Sequence, residues 1–104
     1  MDNFRIIYKI LHILERAMDL DEFNADEISP ENLRISENRW VSIMEMLSEN
    51  DYISGISINR PRDGAVLVNQ GNIRITLKGL EYLSDNSMMK KAAAVAKGIV
   101  DIVK

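Results

Sequence analysis

The sequence predicts a mixed α+β fold in which helices come first, a pair of strands follows, and helices close the chain. Three observations carry this reading. Apolar residues recur at helical spacing as far as about residue 49, the period falls to two over residues 56–68, and Pro61-Arg62-Asp63-Gly64 interrupts that alternation. At 104 residues, 46% hydrophobic and 28% charged, the chain has the length and composition of one globular domain, not of a disordered segment. The expected layout is a single domain over residues 1–104, with a core and hairpin in 1–86 and a terminal helix in 87–104.

The first helix is expected within residues 2–19, where Phe4, Ile7, Leu11, Leu14 and Met18 repeat with a period near 3.6 behind a possible Asp2 cap. Residues 19–27 hold five acidic groups around Phe23 and read as a solvated connection. Ser29-Pro30-Glu31 starts a short second helix, because proline at the first helical position lacks only an N–H that would be unpaired anyway. It should end near Leu33 or Arg34, with Leu33 and Ile35 anchoring the turn. Ser36-Glu37 opens a third helix over residues 36–49, with Trp40, Ile43, Met44 and Leu47 on one face. Two helices joined by a turn of about three residues, the second one longer, make a helix-turn-helix.

Beyond Asn50-Asp51, Ile56 and Ile58 alternate with Ser57 and Asn59, and the strand pattern resumes at Ala65-Val66-Leu67-Val68. Proline early and glycine late in the intervening stretch define a turn, so this is a β-hairpin. Gln70-Gly71-Asn72 breaks the second strand before Ile73-Arg74-Ile75. Thr76 caps a fourth helix with Leu77, Leu80 and Leu83 on one side, and Gly79 within it suggests close backbone packing. Ser87 caps a last helix. A hairpin directly after a helix-turn-helix is a wing, so the expected fold is a winged helix-turn-helix with a three-helix core, a β-hairpin wing and two C-terminal helices.

Three blocks resemble the YjcQ-like family, small winged-helix proteins of Gram-positive bacteria and their phages. They are Ile35-Ser36-Glu37 with Trp40, the run from Ile73 through Thr76, Gly79 and Tyr82 to Leu83, and Asn86-Ser87-Met88-Met89-Lys90-Lys91-Ala92. The threonine cap with glycine three residues later also follows the wing in several winged-helix transcription regulators. The resemblance implies the fold and a protein of phage or prophage type, and it carries over no site residues.

Composition excludes several classes of chemistry. With no cysteine, neither a disulfide nor a thiolate zinc site can form. The single histidine, His12, has no cysteine or second histidine to join it, so no enzyme activity is expected. The acidic run from Asp19 to Glu27 places Phe23 where a calcium loop needs Asp or Asn, so no metal and no cofactor are expected. The opening Met1-Asp2-Asn3-Phe4-Arg5 lacks the basic-then-apolar pattern expected of a secretion signal, and no stretch nears the roughly 18 apolar residues of a membrane span. A cytoplasmic location without membrane contact is the expectation.

Charge is unevenly distributed. Residues 1–51 hold five Lys/Arg against twelve Asp/Glu, net −7, and residues 52–104 hold eight against four, net +4. Such a chain can present a local basic face, or pair its own halves with another copy's. In a winged helix the third helix enters the major groove and the wing touches the backbone or the minor groove. The face opposite Trp40 carries Asn38 and Ser42 with Arg39 at its margin, and Arg60 and Arg62 flank the wing turn. These five are the candidate contacts to double-stranded DNA, with Arg74 and Lys78 adding to the same basic side. Glu37, Glu45 and Glu49 would oppose a polyanion, which motivates the rival reading of a protein-interaction module. Met88, Ala92, Ala96, Ile99 and Val103 lie on one face of the last helix, which would serve a homodimer or partner protein, or pack on the chain's own first helix.

Overall fold

The computed structural model describes residues 2–86 and is mixed α+β, with four α-helices, one 3₁₀ turn and two small antiparallel ladders among the described residues. Helix α1 spans Asn3–Ala17 and is capped by the Asp2 carboxylate, which accepts from the Arg5 amide at 2.9 Å. Its buried residues are Ile6, Ile10, Leu11 and Leu14. The stripe expected from sequence is therefore displaced around the helix: Phe4 and Met18 at its ends are exposed, at 64% and 63%. The reason lies in what α1 touches. It packs against a third helix, a fourth helix and a strand, and this wrapping buries more of its circumference on the Ile6–Ile10 side than one stripe would.

The acidic connection is not wholly solvated. A single 3₁₀ turn, Ala25–Ile28, forms within it, capped by the Asn24 side chain, and drives Ile28 to full burial. Helix α2, Pro30–Leu33, begins at Ser29, whose hydroxyl accepts from the Asn32 amide at 3.2 Å. The chain then turns at Arg34, whose φ of 58° and ψ of 46° place it in the left-handed region that closes many helices. Helix α3 follows as Glu37–Glu49, with the Ser36 hydroxyl accepting from the Arg39 amide at 3.1 Å. Trp40, Val41, Ile43, Met44 and Leu47 are its buried positions. The Trp40 indole N–H donates to the Ile28 carbonyl at 2.7 Å, so α3 is pinned to the 3₁₀ turn through a buried bond.

The β region has four short strands where the sequence suggested two. Strand β1, Ile53–Ser54, pairs with β4, Arg74–Ile75, in the register Ile53↔Ile75 and Ser54↔Arg74. Strand β2, Ser57–Asn59, pairs with β3, Leu67–Asn69, with Ile58 opposite Val68. The two ladders form one long hairpin out of step: two residues, 55 and 56, separate β1 from β2, and four residues, 70–73, separate β3 from β4. The return strand bulges there, closed by the Gly71 amide donating to the Asn69 side chain at 2.9 Å. Gly55 absorbs the mismatch with φ of +81°, and a Cβ on it would lie 1.8 Å from the Asn72 carbonyl oxygen.

Helix α4, Leu77–Asp85, is capped by Thr76, whose hydroxyl accepts from the Gly79 amide at 3.0 Å and donates to the Asp51 carbonyl at 2.6 Å. One residue thus ties the start of α4 to the end of α3. Gly79 and Leu83 face inward, while Leu77, expected on the same side, is 74% exposed. Close packing dictates this rotation: a Cβ at Gly79 would meet the Tyr52 carbonyl oxygen at 2.5 Å and Ile75 Cγ1 at 2.6 Å. The buried residues of α1, α3, β1 and α4 form one apolar cluster together with Ile28, Leu33 and Ile73. The expected terminal helix from Ser87 lies outside the described residues. No helix among the described residues is long and apolar enough to cross a membrane.

Candidate nucleic-acid interface

Burial of Trp40, Val41, Ile43, Met44 and Leu47 leaves α3 one free stripe. Asn38, Ser42 and Glu49 on that stripe are exposed and Glu45 is half-buried. The stripe faces the hairpin, and between them lies a cleft of about 390 Å³. Val41, Ala65 and Val66 supply its apolar lining, and Glu37, Asn38, Ser42 and Arg60 its polar one. Three of the five candidate residues, Asn38, Ser42 and Arg60, therefore share one cavity, although Ser42 and Arg60 are 18 positions apart.

The other two stand apart. Arg39 Nε donates to the Asn3 side-chain oxygen at 2.9 Å, which ties the start of α3 to the start of α1, and Arg39 does not line the cleft. Arg62 is exposed in the loop between β2 and β3 and does not line the cleft. Neither do Arg74 and Lys78. The Lys78 ammonium lies 5.3 Å from the centroid of the Tyr52 ring, a cation–π position, and Tyr52 meets Tyr82 edge-on at 5.5 Å. Burial pushes the Tyr82 hydroxyl above its ordinary value, with Tyr52 and Asp2 adding to the shift.

Electrostatically the cleft is more balanced than its arginine suggests. Arg60 Nη2 lies 2.5 Å from Glu45 Oε1, joining hairpin to helix in a charge-assisted hydrogen bond. That bond, assisted by the charge of Arg60 and only partly opposed by desolvation, holds the Glu45 carboxyl below its ordinary value. Glu45 raises Arg60 in return, and Glu49 adds a smaller contribution through space. This pairing was hidden in the sequence, where the two residues are 15 positions apart. The legible signal was an acid on the exposed face of α3 and a base at the hairpin turn, of opposite sign.

His12 stacks on Tyr8 with ring centroids 6.1 Å apart. Among the described residues no group of three or more His, Asp or Glu side chains is placed to hold a metal ion.

A short turn between two helices, a longer second helix with a free polar stripe, and a hairpin folded beside it define a small α+β protein with a helix-and-hairpin cleft. The chain matches the YjcQ protein family model over residues 8–102, and it belongs to that family. No curated protein and no solved structure matches it.

Proposed function

We propose that this chain is a winged helix-turn-helix protein that binds double-stranded DNA, with α3 as the recognition helix and the β2–β3 hairpin as the wing. The fold reading is supported by the order α1, α2, α3, hairpin, α4 and by the left-handed turn at Arg34 between α2 and α3. The observation that carries the function is the shared cleft: Asn38 and Ser42, one turn apart on α3, open onto the same space as Arg60 of the hairpin. An asparagine there has the donor and acceptor pair that matches an adenine edge, and arginines suit guanine or phosphate. Arg62 extends from the wing loop toward a neighbouring backbone, and Arg39 serves chiefly to orient α3 through Asn3. A regulatory role follows from sequence reading by such a scaffold, and no catalytic role is assigned.

The test is binding to random-sequence duplex DNA, followed by fluorescence anisotropy across a range of salt. A protein neutralising two to four phosphates gives a log–log slope of roughly −2 to −4. Arg62→Ala should weaken binding to all sequences alike and make the slope shallower by about 0.9. Failure to bind at low salt would sink the proposal.

A second reading, a protein-interaction module on the same scaffold, is favoured by one observation. The stripe that would face DNA carries Glu45 and Glu49, and Arg60 is already paired with the first of them. Exposed Met46 at 43% adds apolar surface to α3. Binding of a partner protein through apolar contacts, on the Trp40 side of α3 or on the terminal helix, would change little with salt, which separates the two readings.

A further inference from the structure

Resting on the DNA reading above, we propose that Glu45 occupies on Arg60 the position a DNA phosphate would take, so that the wing is latched to α3 until the phosphate displaces the carboxylate. A guanidinium presents a planar fork of donors that fits carboxylate and phosphate alike, so the two anions compete for one partner. The contact is short, 2.5 Å, and direct, and it bridges two elements that DNA would have to engage together. Its position supports the exchange. Asn38, Ser42, Glu45 and Glu49 follow one another at spacings of four, three and four residues, so the latch residue lies on the same stripe as the residues that would enter the groove. Glu49 stands one turn beyond and acts on Arg60 only through space. Arg62, by contrast, has no ion-pair partner among the described residues and needs no release.

The latch has two consequences for binding. With Arg60 paired, the wing meets DNA with Arg62 alone, so non-specific affinity is low. When the pair opens, one more phosphate contact forms, and its counterion release adds to the salt dependence. The latch therefore biases the protein toward duplexes whose shape brings a phosphate onto the α3 side of the wing.

A four-protein cycle tests this: wild type, Glu45→Gln, Arg60→Gln and the double variant, each titrated with random duplex over a tenfold range of salt. Wild type and Arg62→Ala serve as the check on the underlying reading. The latch requires Glu45→Gln to steepen the slope by about 0.9 only when Arg60 is present, which is about an eightfold larger gain in affinity at the low-salt end than at the high-salt end. In the Arg60→Gln background the same change should leave the slope as it was. Equal slopes in both backgrounds would overturn it while wild type still binds and Arg62→Ala still weakens, leaving the DNA reading intact. Weaker binding by Glu45→Gln would make the pair a strut that DNA needs closed, and would also overturn it. Absence of binding by every variant would overturn the DNA reading and the latch with it.

Discussion

Single residues carry much of the geometry that places α3 beside the hairpin. Trp40 is both a core side chain and a donor to Ile28, so it fixes the depth and the rotation of α3 in one contact. Thr76 does the same for α4 through Gly79 and Asp51. Gly79 shows how packing overrides propensity. Alanine is the better helix former by about 1 kcal/mol, yet its Cβ would meet the Tyr52 carbonyl oxygen at 2.5 Å. Because the obstacle is backbone and a branched side chain, relief requires α4 to move. Gly79→Ala should therefore destabilise the protein by about 1–3 kcal/mol, read as a lower urea midpoint with unchanged slope. A gain in stability would show that α4 is free to shift. Gly79 was noticed in the sequence as a misfit within a helix. What it avoids, a carbonyl 27 positions earlier, could not be read there.

At the level of elements, the hairpin is the part that closes the cleft beside α3. Its strands are short, half-buried at Ile58 and Val68 and otherwise exposed, so little apolar burial holds it against α3. The Arg60–Glu45 bond supplies a polar connection, and its pH dependence follows from the direction of the Glu45 shift. The Glu45 carboxyl is held below its ordinary 4.5 by Arg60 in the folded state. A depressed folded pKa means that the contact contributes fully above the unfolded value and is lost only as pH falls through the lower folded one. Carboxyl resonances followed by NMR should show Glu45 titrating below 4.5 and moving upward in Arg60→Gln. A Glu45 midpoint unchanged by that substitution would mean the hairpin is held otherwise. The starts of α2 and α3 are legible in the sequence because caps are local: Ser29, Pro30 and Ser36 act within three residues. Strands β1 and β4 were not, since two-residue strands have no measurable period and exist only through each other.

For the molecule as a whole, α1 is the organising element, in contact with α3, α4, β4 and the 3₁₀ turn. Its fully buried Ile10 belongs to an apolar cluster that also includes residues of each of those helices. Ile10→Ala should cost about 2–5 kcal/mol. It should lower the Trp40 fluorescence transition and the far-UV circular dichroism transition together, since both report one cooperative core. Separation of the two transitions would show that the β region and α4 unfold apart from α1–α3. The opposed charges of the two halves, −7 and +4, belong to the same scale.

Local chemistry, then, determined by itself the helix starts, the presence of a hairpin, the polar stripe of α3 and the arginines of the turn. Each depends on residues within about one helical turn or one strand of each other. Tertiary structure alone decided which side of α1 is buried, that Leu77 points outward, that β1 and β4 pair, and that Arg60 reaches Glu45 while Arg39 reaches Asn3. These outcomes depend on which surfaces compete for the same core and on distances between residues far apart in the chain. An amphipathic pattern says that a face is apolar, and only the partner elements say how much of it they cover.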